Sequence, residues 1–135
     1  MKVVLDTNVL VSSLSRKSVS HWLIEMLLSK LLDLYVTNDV LLEYEEIISR
    51  KYSESVAENF LKTLKEASNV YLTEVHYKFN LIQSDPDDNK FVDCAIAASV
   101  DFLITNDKHF NVLKDVPFPK VNITRLEEFE KIINI

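Results

Sequence analysis

The chain contains no glycine among its 135 residues. Glycine supplies positive backbone φ angles and lets a backbone approach a phosphate closely. The Walker A loop, the G-x-G-x-x-G dinucleotide fingerprint and the G-x-S-x-G nucleophile elbow all need glycines, so these classes of site are excluded. Tight turns have to use Asn, Asp and Pro instead, and SDPDDN is the strongest turn signal in the chain.

Length and composition predict a soluble globular protein. A chain of 135 residues that is 47% hydrophobic and 27% charged is expected to form a single domain spanning residues 1–135. The lone Cys94 excludes an intramolecular disulfide. No apolar run approaches the roughly 20 residues of a membrane helix, and the N-terminus has no apolar export segment. We therefore expect a cytoplasmic protein with no membrane partner.

Short apolar strands alternate with helical patterns along the chain. The expected strands are residues 2–5, 34–36, 70–72, 101–105 and 121–123. Between them, residues 21–33, 37–52, 54–68 and 89–100 have the three-and-four apolar spacing of helices. Parallel strands need helical crossovers, so this order predicts an α/β fold. The expected architecture is a three-layer α/β/α sandwich with a mainly parallel central sheet of about five strands.

Two carboxylates directly follow predicted strands. Asp6 comes after the first strand, and Asp107 follows the strand that ends near Ile104. The carboxyl ends of parallel strands meet at one edge of a sheet, where ligands bind. Either residue alone could equally be a helix N-cap.

Three further acids occupy helical positions beside apolar residues. Glu43 lies on the flank of an apolar stripe, where its charge has to be paired with another group or its carboxylate has to reach solvent. Asp93 interrupts the apolar face of the helix at residues 89–100, and Asp88 precedes that helix in a position typical of a cap or a first-turn acid.

Together, Asp6, Glu43, Asp88, Asp93 and Asp107 would repel one another unless cations neutralised them. Mg²⁺ or Mn²⁺ fit such a set, since both prefer carboxylate and water oxygens. His21, His76 and His109 have no metal-binding spacing and are expected to be structural or surface residues. The net charge of −6 argues against a nucleic-acid partner, but bound cations would reverse the field locally.

Four segments resemble the motifs of the PIN domain in order and approximate spacing. They are LDTNVLVSSL, VTNDVLLEYEEII with Glu43, DPDDNKFVDCAIAAS and FLITNDKHF. The resemblance extends from about Lys2 to Phe110 and is closest to the small branch that includes toxins of VapBC-like toxin–antitoxin pairs. It implies a metal-dependent ribonuclease that cleaves RNA with Mg²⁺ or Mn²⁺ and has a cognate antitoxin protein.

The resemblance also implies roles for individual residues. Asp6, Glu43, Asp93 and Asp107 match the four acids of the family. Asp88 matches a further acidic position, which leaves open whether Asp88 or Asp93 is the closer ligand. Supporting polar positions fall on Asn8, Thr105 and Asn106, and Asn106 stands where many relatives have glycine. Arg16, Lys17, Arg50, Lys51 and Lys108 are candidate contacts for RNA phosphates.

Two other interpretations of the acids stay open. Asp6 could be a phosphoryl-accepting nucleophile, although neither the acid expected two residues later nor a late strand-end lysine is present. Alternatively, the fold could be a catalytically silent module that binds RNA or a protein. Apolar residues at exposed positions of the first long helices suggest a homodimer.

Overall fold

A computed structural model of the protein describes residues 1–134, and Ile135, the last residue of the expected domain, lies outside the described residues. The strands are β1 Lys2–Leu5, β2 Asp33–Val36, β3 Val70–Leu72, β4 Phe102–Ile104 and β5 Ile123–Thr124. The α-helices are α1 Thr7–Ser13, α2 Trp22–Leu28, α3 Asn38–Lys51, α4 Glu54–Glu66, α5 Asn89–Ala98 and α6 Leu126–Ile133. Two 3₁₀ helices, Pro86–Asp88 and Lys108–Asp115, precede α5 and β5.

The five strands form one parallel sheet in the order β3-β2-β1-β4-β5. β1 is central, with Val3 paired to Leu34 of β2 on one side and to Phe102 of β4 on the other. This confirms the predicted α/β fold with its parallel sheet of five strands. The order reverses direction between β1 and β4, so their carboxyl ends form the topological switch point of the sheet.

Helices cover both faces of the sheet. The connections from β1 to β2 and from β2 to β3 run in one direction along the sheet, whereas the connection through α5 to β4 runs the opposite way. Because such crossovers are right-handed, α5 lies on the opposite face from α1 to α4. α6 packs beside α2, where the rings of Trp22 and Phe129 stack with centroids 6.5 Å apart.

The central strand is apolar on both faces. Val3, Val4 and Leu5 have no exposed surface, as expected for a parallel strand covered by helices on both sides. This burial fixes the end of β1, and with it the backbone of Asp6.

The second helix is shorter than predicted. The sequence pattern predicts a helix over residues 21–33, but α2 ends at Leu28. Lys30 has a φ of 62°, and this left-handed residue turns the chain so that Leu32 is buried just before β2 begins. The apolar residues 31 and 32 therefore belong to a turn rather than to the helical stripe.

Within residues 1–134, no helix combines the length and apolar character needed to cross a membrane. Leu28, Leu42 and Val56 are exposed on α2, α3 and α4. The homodimer suggested by such residues stays a prediction.

A hydrogen bond connects α3 to the end of β1. The hydroxyl of Tyr44 is fully buried and donates to the carbonyl oxygen of Leu5 at 2.6 Å. Burial raises the pKa of Tyr44 well above its ordinary range, so the phenol stays protonated and able to donate. This bond sets the position of α3, and of Glu43 on it, relative to Asp6.

We predict that Tyr44→Phe lowers the free energy of unfolding by about 1–3 kcal/mol, because it removes the donor to a buried carbonyl. Urea denaturation measures the change. Tyr77→Phe is the matched control, since Tyr77 is 67% exposed, and it should alter stability by less than about 0.5 kcal/mol. Equal effects of the two substitutions would contradict this role for Tyr44.

Candidate metal centre

Asp6 lies at the switch point of the sheet and is buried, with 5% of its surface exposed. Its backbone N–H donates to the carbonyl oxygen of Ile104 at 3.0 Å, which joins the ends of β1 and β4. Asp6 occupies the N-cap position of α1, but its side chain makes no capping hydrogen bond. Instead, its Oδ2 accepts a hydrogen bond from the hydroxyl of Thr105 at 2.8 Å. The cap interpretation of this carboxylate is therefore wrong.

The hydroxyl of Thr105 has a defined direction. Its oxygen accepts a hydrogen bond from the backbone N–H of Asp107 at 3.1 Å, so its proton is free to point at Asp6. The carboxylate of Asp107 in turn accepts from the backbone N–H of His109 at 2.9 Å and caps the following 3₁₀ helix. Asp6, Thr105 and Asp107 thus form one connected group at the edge of the sheet.

The pKa of the Asp6 carboxyl is raised by burial, and the nearby carboxylates of Glu43 and Asp107 raise it further. The hydrogen bond from Thr105 acts in the opposite direction. Since the charges of Glu43 and Asp107 raise this pKa, both carboxylates lie close enough to Asp6 to repel its negative charge.

Both carboxylate oxygens of Glu43 have partners within the protein. Thr7, the residue after Asp6, donates its hydroxyl to Oε2. The ammonium of Lys90 lies 2.9 Å from Oε1 and also 3.2 Å from Oδ1 of Asp87. Burial disfavours the charged form of Lys90, but the hydrogen bonds that it donates to Glu43 and Asp87, together with their charges, outweigh this and raise its pKa. Glu43 is thus held beside Asp6 as a member of an ion pair.

Asp88 has an oxygen without a partner. Its Oδ2 is buried and makes no hydrogen bond to any described residue. The pKa of Asp88 is raised to about 7, mainly by burial and then by the carboxylates of Asp85, Asp107 and Asp6, while His109 lowers it. The side chain makes no cap bond to α5. A buried carboxylate oxygen that accepts no hydrogen bond, on a side chain near other acids, is the arrangement that a cation would stabilise.

Asp93 lies apart from the other acids. It is buried, and its Oδ1 accepts a hydrogen bond from the backbone N–H of Phe79 at 3.2 Å. Burial raises its pKa, whereas the Phe79 bond and the charge of Lys78 lower it, and no other acid is among the causes. Asp93 lines a groove of about 570 Å³ together with Lys78 and Asn89. Its hydrogen bond holds the segment before α5, and a role for Asp93 in binding a metal stays a prediction.

The predicted supporting residues differ in their surroundings. Thr105 orients Asp6 as described above. Asn106 accepts a hydrogen bond from the backbone N–H of Leu126 at 3.0 Å and so fixes the start of α6. Asn8 is exposed and has no side-chain hydrogen bond to any residue within 1–134. The polar contact from this part of α1 comes from Thr7 instead.

Several site residues were missed by sequence reasoning. Thr7 and Lys90 lie within segments that resemble PIN motifs but were given no role there, and their contacts with Glu43 join positions 36 and 47 residues apart in the chain. His109 was expected to be structural or at the surface, yet its Nδ1 lies 3.3 Å from Asp107 and 3.8 Å from Asp88. One ligand atom each from Asp85, Asp88 and His109 lie within 4.8 Å of one another.

The donor set fits a hard divalent cation. The charges of Asp6 and Asp107 act on Asp88 at one sheet edge, and Oδ2 of Asp88 is buried without a hydrogen bond within residues 1–134. Mg²⁺ and Mn²⁺ bind through such oxygens and keep several waters. The free thiol of Cys94 is buried in the core, so it does not take part.

Comparisons with known proteins agree with this fold. A family model described as PIN domain matches residues 2–109. Among curated proteins, no sequence matches the chain.

Three solved structures are similar to the chain. VapBC2 from Rickettsia felis, bound to a DNA fragment from its promoter, has a TM-score of 0.62 at 19% identity over 93% of this chain and 98% of that chain. FitAcB from Neisseria gonorrhoeae has a TM-score of 0.59 at 16% identity over 93% and 98% of the two chains. FitAB bound to a DNA fragment has a TM-score of 0.58 at 16% identity over 92% and 94%. At these identities the likeness supports the fold.

We predict that Asp88→Asn stabilises the metal-free protein at pH 8 but not at pH 4. The raised pKa means that folding takes up a proton at Asp88 between pH 3.8 and about 7, so the wild type loses stability as the pH rises through this window. The variant has no such charge and escapes that loss. Thermal unfolding in EDTA at both pH values measures the difference.

Asp115→Asn is the control for this experiment, since Asp115 is exposed on the 3₁₀ helix Lys108–Asp115. Its melting temperature should follow that of the wild type at both pH values. A gain for Asp88→Asn that is the same at pH 4 and pH 8 would be evidence against a strained Asp88 carboxylate.

Proposed function

The chain belongs to the PIN domain family, and on this premise we propose that it is a metal-dependent endoribonuclease. The observation that carries the proposal is Oδ2 of Asp88, which is buried and accepts no hydrogen bond within residues 1–134. Its carboxylate lies close enough to Asp6 and Asp107, at the switch point of a parallel sheet, for their charges to act on it. Open α/β sheets bind their ligands at this place.

Asp6, Asp88 and Asp107 are the residues that we propose to hold an Mg²⁺ or Mn²⁺ ion. Asp6 and Asp107 follow rigid strands and are oriented by Thr105. Asp88, rather than Asp93, is the third ligand in this proposal, because its raised pKa arises in part from Asp107 and Asp6. Glu43 holds its place beside Asp6 through Thr7 and Lys90. In this proposal it orients water rather than coordinating the ion.

When bound, a divalent cation activates water for attack on a phosphodiester and offsets the negative charge that develops on the phosphate. The protein's own part is to hold its carboxylates still and to position the RNA. The hydroxyl of Thr105 donates a hydrogen bond to Oδ2 of Asp6. In this proposal the other oxygen, Oδ1, faces the site as an acceptor. No side chain has to act as a nucleophile.

A basic cleft lies next to Asp107 and is proposed to bind the RNA backbone. Lys108, Lys114 and Arg125 line a small cavity of about 50 Å³ together with Thr105 and Asp107. These cations are exposed, and none forms a salt bridge to another residue within 1–134. Of the earlier phosphate candidates, Lys108 lies in this cleft, whereas Arg50 pairs with Glu46 at 2.6 Å.

We further propose that the protein is the toxin of a toxin–antitoxin pair. Support comes from the similarity to chains of the VapBC2 and FitAB complexes over nearly their full length. A cognate antitoxin protein would then cover the sheet edge at which Asp6, Asp88 and Asp107 lie. Action on cellular RNA implies a cytoplasmic location, and the protein is proposed to act as one domain.

Asp6→Asn and Asp107→Asn are predicted to reduce Mg²⁺- or Mn²⁺-dependent RNA cleavage by more than about 100-fold, because each removes a charged ligand. Cleavage of a labelled RNA with and without EDTA measures this loss. Circular dichroism should show that both variants keep the fold. Wild-type levels of cleavage by either variant would refute the proposed nuclease.

Asp93→Asn is the matched control, because asparagine still accepts the hydrogen bond from Phe79. It should keep cleavage within about tenfold of the wild type, while Asp88→Asn loses as much as Asp6→Asn. In cells, sequencing of RNA ends after induction should show new 5′ ends with the wild type and none with Asp6→Asn. A folded wild type that binds the metal but leaves RNA intact would favour the alternative, a catalytically silent binding module.

The double variant Lys108→Ala and Arg125→Ala is predicted to weaken RNA binding and to reduce its dependence on salt. Each lost phosphate contact should lower the slope of log affinity against log salt by about 0.7 for single-stranded RNA. Fluorescence anisotropy of the RNA at several salt concentrations measures this slope. Lys62→Ala with Lys65→Ala on the exposed side of α4 is the control, and the same slope change in both pairs would contradict a specific basic cleft.

A further inference from the structure

Lys90 places a positive charge beside two carboxylates of the acidic cluster, by which we mean Asp6, Glu43, Asp87, Asp88 and Asp107. Its side chain is only 20% exposed, and its ammonium bridges Oε1 of Glu43 at 2.9 Å and Oδ1 of Asp87 at 3.2 Å. The Glu43 side chain is 19% exposed, so this pair is shielded from solvent more than an ordinary surface ion pair. Charges that are partly shielded from water interact more strongly, because the effective dielectric constant around them is lower.

The pairing gives each carboxylate oxygen of Glu43 one partner. Lys90 occupies Oε1, and the hydroxyl of Thr7 occupies Oε2. Glu43 nevertheless lies close enough to Asp6 for its charge to act on it. A cation that bound directly to Glu43 would have to use a remaining lone pair beside the positive charge of Lys90, which repels it.

The position of Lys90 is fixed by its helix. It is the second residue of α5, directly after the 3₁₀ helix Pro86–Asp88, and Asp87 lies one turn before it. Asn89 next to it is anchored by two hydrogen bonds with the backbone of Ile82, at 2.9 and 2.8 Å. The backbone from which the Lys90 side chain extends to Glu43 is therefore held in place by its neighbour Asn89.

We propose that Lys90 is a positioning residue whose ammonium takes the place of a second divalent cation, so that the cluster binds one divalent ion per chain. This inference rests on the metal site of the proposed function. Glu43 and Asp87 are neutralised from within the protein, and Asp6, Asp88 and Asp107 are left for the single exchangeable ion. The fixed charge also prevents Glu43 from turning toward that ion.

The test is the number of Mn²⁺ ions bound per chain, measured by isothermal titration calorimetry and electron paramagnetic resonance in the absence of RNA. Wild type should bind about one ion, and Lys90→Met about two, because removing the ammonium leaves the Glu43 carboxylate, whose charge acts on Asp6, without its compensating cation. Lys90→Arg keeps the charge and should restore about one ion.

Lys131→Met is the control for net charge. Lys131 pairs with Glu128 at 3.6 Å on the exposed surface of α6, so its loss changes the overall charge equally without touching the cluster. It should bind about one ion, as the wild type does. A merely structural Lys90 would lower the melting temperature of Lys90→Met without changing the number of ions. Lys90→Gln keeps a hydrogen-bond donor for Glu43 and provides the same test if Lys90→Met does not fold.

Unchanged ion numbers in Lys90→Met and Lys90→Gln would overturn the inference while leaving the nuclease proposal standing. Two ions bound by the wild type would overturn it as well. If the wild type binds one ion and the charge-removing variant binds two, but no RNA is cleaved, the nuclease proposal fails and the role of Lys90 stands.

Discussion

Repulsion among the carboxylates at the switch point of the sheet is the constraint around which this molecule is arranged. β1 and β4 are neighbours in the sheet, so the acids that follow them meet at the same edge, and the 3₁₀ helix Pro86–Asp88 brings Asp88 near them. Burial and mutual repulsion raise the pKa of Asp6 and Asp88. A protein tolerates such a cost where the charges serve a bound ion, and a divalent cation would relieve it.

The rest of the fold holds these acids in place with neutral groups and one cation. Thr105 connects Asp6 to Asp107, Tyr44 ties α3 to the end of β1, and Lys90 with Thr7 secures Glu43. The fully buried central strand gives this arrangement a rigid base. Removing any one of these supports is expected to loosen the geometry before it unfolds the protein.

Much of this architecture could be predicted from the sequence, because it depends on local patterns. The alternation of strands and helices determines the α/β class, and the rule that ligands bind at strand ends indicates Asp6 and Asp107. Glu43 could be identified as an acid on the flank of an apolar stripe. The sequence leaves the choice between Asp88 and Asp93 open, because it depends on how the 3₁₀ helix Pro86–Asp88 and the start of α5 pack near the strand ends. Contacts of Lys90 and Thr7 with Glu43 depend on how distant helices pack, and no local pattern records this.

Crystals of the wild-type protein soaked in Mn²⁺ test the central claim most directly, through the anomalous scattering of the ion. The account predicts one anomalous peak per chain, in contact with carboxylate oxygens of Asp6, Asp88 and Asp107, with Lys90 still paired to Glu43 and no contact to Asp93. A peak coordinated by Asp85, Asp88 and His109 without Asp6, or one coordinated by Asp93, would contradict it.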